Sequence, residues 1–150
     1  DIDAQALEQA MQNGTHRSFK NIDPPGMESA LNQLQKLIKH LKENYSEIIV
    51  GGFSQGAMCS LHLAFREKLK KLVILSGNPV GMSQLNLDIH QVNFFQSHGT
   101  HDALLSFKDA KSLFDDLIIS GSQGEWVPFS GGHEIPPEVM RKLDIFLLAD

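Results

Sequence analysis

The stretch Ile48-Ile49-Val50-Gly51-Gly52-Phe53-Ser54-Gln55-Gly56 decides the fold. Its first three residues are apolar and β-branched, which suits a short buried strand. Gly52-Phe53-Ser54-Gln55-Gly56 then fits the pattern G-x-S-x-G. Beyond it, Ala57, Met58, Leu61, Ala64 and Phe65 recur at helical spacing, so a helix is predicted from Gln55 to Arg66. A serine between two glycines, leaving a strand and opening a helix, is the context in which this pattern carries chemistry. The turn is too tight for side chains on its flanks, and it lifts the Ser54 hydroxyl above the sheet. The helix start aims free N–H groups and partial positive charge at the same place. The Gln55 N–H is one of them and can donate to a developing oxyanion. The same residues also fit a plain strand-to-helix turn. The rest of the chain must separate the two readings.

Upstream, Met27, Ala30, Leu31, Leu34, Leu37, Ile38 and Leu41 hold a helical stripe for four turns. Residues 13–26 are turn-rich, and Ala6, Leu7, Ala10 and Met11 predict a short helix over 3–12. Downstream, Leu72 to Leu75, Val92 to Gln96 and Glu125 to Phe129 read as strands. The last is predicted to lie at an edge, because Pro128 has no N–H to give a neighbour. Phe107 to Ile118 forms another amphipathic helix, and Val139 to Leu147 the last, entered through Pro136-Pro137. Strands apolar on both faces, alternating with helices, predict a parallel sheet covered by helices on both sides. Right-handed crossovers gather the strand C-termini at one edge, where ligands bind.

Two more such ends carry candidate groups. The third strand runs into Ser97-His98-Gly99-Thr100-His101-Asp102, and Asp102 there can orient an imidazole. Taken alone, it is as well read as a turn or cap for the helix near Ser106. The fourth is followed by Ser130-Gly131-Gly132-His133-Glu134, where His133 can serve as a general base over Ser54, or stand as a solvated loop residue. Together, the order Ser54, Asp102, His133, each after a successive strand, is that of α/β-hydrolases and of neither other common serine-hydrolase fold. That coincidence favours a Ser-His-Asp triad. The remaining histidines are scattered: His98 and His101 have no ligand set around them at recognisable spacing, so no metal site is read. His62 reads as a core or surface residue and Cys59 as packed behind the turn.

Composition bounds the rest. The 150 residues carry 13 Lys and Arg against 18 Asp and Glu, a net charge of −5, which disfavours nucleic-acid partners. One cysteine leaves no internal disulfide framework and fits a reducing compartment, so a cytoplasmic location is expected. Apolar runs of about five residues are far short of the ~20 that span a bilayer, and residues 1–4 do not resemble a signal peptide, so no stable membrane insertion is expected.

The chain resembles the phospholipase/carboxylesterase family of α/β-hydrolases, which includes acyl-protein thioesterases and small carboxylesterases. The resemblance rests most on Gly51-Gly52-Phe53-Ser54-Gln55-Gly56, since Phe53 and Gln55 are features of that family rather than of hydrolases in general. His98-Gly99-Thr100-His101-Asp102 resembles its acid loop, Gly132-His133-Glu134 its histidine loop, and Asp1-Ile2-Asp3 the end of its Trp-Phe-Asp segment. It implies catalytic Ser54, Asp102 and His133, an oxyanion donor at Gln55, an ester or thioester substrate, and no cofactor or metal. Small acyl esters are expected to be favoured. A thioesterase or lysophospholipase, and a non-catalytic hydrolase-fold binding module, stand as alternatives. Two departures are visible. Ala103-Leu104-Leu105 follow Asp102 where the family has Pro and Val-Pro, and nothing before Ser54 matches its His-Gly oxyanion loop. The 150 residues are therefore expected to be one α/β-hydrolase domain, incomplete at the N-terminus, with an unpaired edge on the strand at residues 47–51.

Overall fold

The computed structural model describes residues 16 and 18–149. The helix expected over 3–12 and the Asp1-Ile2-Asp3 segment lie outside them. Four parallel strands form one sheet in the order β1 (Ile49–Phe53), β2 (Lys71–Leu75), β3 (Asn93–Gly99), β4 (Gln123–Phe129). Among the described residues, helices α1 (Met27–Leu41), α2 (Gln55–Arg66), α3 (Phe107–Ile119) and α4 (Pro137–Leu148) accompany the sheet. Two short 3₁₀ turns, Met82–Gln84 and Leu87–Ile89, lie on the way from β2 to β3.

Each sheet face buries its own core. Ala57, Leu61, Ala64 and Phe65 of α2 and Leu113 and Leu117 of α3 pack on Leu72, Ile74 and Phe94. On the opposite face, Val139, Leu143 and Phe146 of α4 pack on Val73, Leu75, Phe95, Val127 and Phe129. Successive strand residues point to opposite faces, so a strand covered on both sides reads as an unbroken apolar run. Leu72 to Leu75 of β2 do so, and all five residues of the strand are buried. Its first, Lys71, is kept in place by donating its ammonium to the Ala149 carbonyl beyond α4. Helix α1 lies outside α2 and joins it through Leu31, Ile38, Leu63 and Leu69. Among the described residues, no helix is long and apolar enough to cross a membrane.

The strands run further than the apolar patterns alone suggest. β1 continues through Gly51 and Gly52 to Phe53 because both glycines face crowded neighbours. A Cβ on Gly51 would sit 2.8 Å from Val73 Cβ, and one on Gly52 would sit 2.4 Å from the Gly56 backbone. β3 continues from Gln96 to Gly99 because Ser97, His98 and Gly99 pair with Val127, Pro128 and Phe129. Among the described residues, β4 lies at an edge, with Pro128, as its proline predicts. Among the described residues, β1 has β2 as its only neighbour, so its other edge is unpaired there.

Candidate active site

Three strand ends meet at one sheet edge. Ser54 follows β1 directly and caps α2, with φ 55° and ψ −121°. A non-glycine residue at positive φ is strained, and such strain persists where the surrounding structure fixes it. Here the Ser54 N–H donates to the Leu75 carbonyl at 2.8 Å, and the Ser54 carbonyl accepts from Ala57 and Met58 in the first turn of α2. The backbone of α2 passes so close to Gly52 that no side chain fits there. Gln55 opens the helix, so its N–H is one of the first-turn donors with no intrahelical acceptor.

Asp102 sits in the turn after β3. Its Oδ1 accepts from the N–H groups of Leu104 and Leu105, at 2.8 and 2.9 Å. The helix that follows is capped by Ser106 instead, whose Oγ accepts from Asp109 N–H. The other oxygen, Oδ2, accepts from His133 Nδ1 at 2.7 Å. Burial pushes the Asp102 carboxyl up, but the hydrogen bonds from His133, Leu105 and Leu104 outweigh it and hold the group below its ordinary value. It is therefore ionised near neutral pH and accepts only. That fixes the proton of His133 on Nδ1 and leaves the Nε2 lone pair free.

His133 lies on the glycine-rich loop after β4, and its Nε2 accepts from Ser54 Oγ at 2.9 Å. One ring contact and the anchoring of its loop hold His133 from outside the three residues. Phe53 packs against it with ring centroids 4.7 Å apart and an interplanar angle of 45°. The loop is tied to the acid turn by His101 N–H donating to Gly131 O and Thr100 N–H donating to Phe129 O, both at 2.9 Å. Glu134 Oε1 in turn accepts from Gly132 N–H at 3.2 Å. The His133 side chain remains 14% exposed and that of Asp102 is fully buried, so the site is open at the serine and closed behind the acid.

The structure thus brings Ser54, His133 and Asp102 into one hydrogen-bonded line, with Gln55 N–H beside the serine. The other histidines stay off Ser54, although His98 and His16 both touch Asp102, His16 through Nε2 at 2.8 Å from the Asp102 carbonyl oxygen. His101 is exposed, His98 is buried behind Asp102, and His62 is buried in α2 with Nε2 on the Val80 carbonyl at 2.8 Å. Cys59, expected to be packed, is half-buried. Burial raises its thiol above the ordinary value. With Pro24, Pro25, Met27, Met58 and Val80 it lines an apolar cavity of about 190 Å³ that reaches Gln55. Sequence reasoning missed three parts of this arrangement: the Phe53 ring on His133, the second imidazole beside Asp102, and the close passage of Gly99 by the His133 loop. Phe53 and His98 stood inside the motifs already quoted, but the partner of Phe53 lies across the sheet, and that of His98 is met only through the shape of the turn after β3.

A profile of the phospholipase/carboxylesterase family matches residues 11–149. The chain belongs to this family. Acyl-protein thioesterase 1 homolog 1 of Dictyostelium discoideum is 30% identical over 135 residues, which cover 83% of this chain and 60% of that protein. Acyl-protein thioesterase 1 of Debaryomyces hansenii is 35% identical over 120 residues, covering 69% and 50%. The chain thus spans between half and two thirds of the length of these curated relatives. Among solved structures, a phospholipase/carboxylesterase from Dyadobacter fermentans superposes with a TM-score of 0.74 at 21% identity, over 89% of this chain and 70% of that one. This likeness shows the same α/β-hydrolase fold.

Proposed function

We propose that the protein is a serine carboxylic-ester hydrolase that works through an acyl-enzyme. The observation that carries this reading is His133, bonded on one side to Ser54 Oγ and on the other to Asp102 Oδ2. Ser54 Oγ attacks the ester carbonyl carbon as its proton passes to His133 Nε2. The carbonyl π electrons move to oxygen, and the Gln55 N–H donates to that oxyanion. The bond to the leaving oxygen or sulfur then breaks, and His133 returns the proton to it. Water repeats the sequence on the acyl-serine and frees the acid. Asp102 holds the Nδ1–H tautomer throughout and stabilises the imidazolium.

Small acyl groups suit the apolar cavity beside Gln55. Its volume of about 190 Å³ lies below the roughly 300–1,000 Å³ of common ligand pockets. Longer acyl groups or thioesters are the second reading, favoured by the curated relatives that bear the name acyl-protein thioesterase. p-Nitrophenyl esters from acetate to palmitate, with and without Ser54→Ala, test both. The account expects turnover that peaks at short chains and is lost in Ser54→Ala. A peak at long chains supports the second reading. Full activity in Ser54→Ala refutes both, whereas a folded wild-type protein that turns over none of the esters leaves a binding module as the alternative.

A further inference from the structure

A second imidazole lies against the acid, and the reaction above does not use it. His98 stands in β3, next to its last residue Gly99, and is wholly buried. Its Nε2 is 3.2 Å from the Leu105 carbonyl oxygen and 3.3 Å from Asp102 Oδ2. That is the same oxygen that accepts from His133. A carbonyl oxygen can only accept, so Nε2 carries the proton and Nδ1 the lone pair. Nδ1 has no partner among the described residues. The His98 N–H points at Leu105 O, and its positive end also faces Oδ2. The acid turn is therefore held from two directions. Leu104 and Leu105 N–H bind Oδ1, and His98 binds the Leu105 carbonyl from the sheet side.

We propose that His98 is a positioning residue for the acid: it fixes the turn that aims Asp102 at His133 and shares the negative charge of Oδ2. The proposal rests on the Ser54–His133–Asp102 reading. Four groups face the ring. They are Asp102 from its turn, His133 from the loop after β4, His16 from the N-terminal segment, and the Phe107 ring of α3 at 6.2 Å between centroids. Burial, opposed by the Leu105 carbonyl and Asp102, lowers the His98 pKa below the ordinary imidazole value. The ring is thus neutral near pH 7. A neutral N–H steadies the carboxylate while leaving most of its charge for His133. A cation there would take Asp102 as its own counter-ion.

The test uses the full-length protein with His98→Leu, which keeps bulk but has no donor, and His98→Gln, whose amide N–H stands near the place of Nε2. His98→Leu is expected to lower kcat about tenfold with little change in KM, the scale of losing an orienting partner behind a catalytic group. With Oδ2 less shared, its charge favours the imidazolium of His133, so the acidic limb of the kcat/KM profile moves to higher pH. The same upward move is expected in an NMR titration of the His133 Cε1–H, which needs no turnover. His98→Gln should recover most of the kcat and return the titration to its wild-type position. Wild-type kcat and an unmoved titration in His98→Leu overturn the proposal. So does an equal loss in both variants with the titration unmoved, since that is packing alone. If His98→Leu does not fold, His98→Gln decides: a loss beyond about tenfold refutes the role and a near-wild-type rate supports it. Turnover by Ser54→Ala would instead sink the triad reading itself. An inactive Ser54→Ala beside a fully active His98→Leu sinks only this proposal.

Discussion

Gly99→Ala is expected to disable the site without touching any of its hydrogen-bonding side chains. Gly99 ends β3, where the acid turn passes under the His133 loop. A Cβ placed there would lie 2.2 Å from Gly132 O and 2.5 Å from Gly131 O. Contacts under 3.0 Å are not sustained, so the backbone must part by about 0.8 Å or more to admit the methyl group. β3 is pinned between β2 and β4, whereas the 130–134 loop is fixed mainly by a few turn hydrogen bonds. The loop therefore yields, and it carries His133. The 2.9 Å bond to Ser54 and the 2.7 Å bond to Asp102 cannot both survive such a shift. A misplacement near 1 Å costs about 10²-fold in rate, against an overpacking cost of about 1–3 kcal/mol in stability. The assay is kcat on p-nitrophenyl acetate, with near-ultraviolet circular dichroism and a thermal melt as the check on folding. A folded Gly99→Ala protein with kcat within about threefold of wild type would refute the reasoning, because the loop would then not be held where the clash requires.

Three further outcomes follow from the same geometry. Asp102→Asn presents an amide that can donate to the imidazole. The His133 proton then moves to Nε2, and kcat should fall by about 10⁴-fold at neutral pH, read by the same assay. Phe53→Leu removes the ring that packs on His133. An aromatic pair contributes about 0.5–1.5 kcal/mol, so kcat should fall about two- to tenfold, and Phe53→Tyr should retain most of it. Stability should fall with acid, beginning near pH 6.5. Burial lowers the pKa of both His62 and His98, so each is neutral when folded and binds a proton when unfolded. Their contribution is complete above the unfolded value of 6.5 and is lost as pH falls towards the folded values, at up to about 1.4 kcal/mol per pH unit for each. Melting temperatures from pH 7.5 to 5 check the slope, and His62→Gln should flatten it.

The alternation of strands and helices was legible because burial on both faces writes an apolar run for each strand. Leu72 to Leu75 shows it most clearly. The strand ends were less so. Ser97, His98 and Gly99 look like loop residues, yet they extend β3 because β4 pairs with them as far as Phe129. Gly51 and Gly52 look like a break, yet Val73 and the start of α2 need the space that side chains would fill. Pro128 did reveal its edge position, since the missing N–H is tolerated on only one kind of strand. Ser54, Asp102 and His133 stood out because each follows a strand whose end the pattern marks. Phe53 lay in the same motifs, but it meets a ring far along the chain, and His98 meets Asp102 four residues on only because the turn after β3 folds back on the strand. No local pattern records that Phe53 meets His133 or that His98 faces Asp102. The order of the strands brings the first pair together, and the local fold of the turn after β3 the second.

The central claim is that His133 activates Ser54. The direct measurement is intact mass before and after a fluorophosphonate probe, with peptide mapping of the labelled site. The account predicts a single adduct on Ser54 in the wild-type protein and none in His133→Ala. An unlabelled wild-type protein that is folded, or an adduct on any other residue, would contradict it.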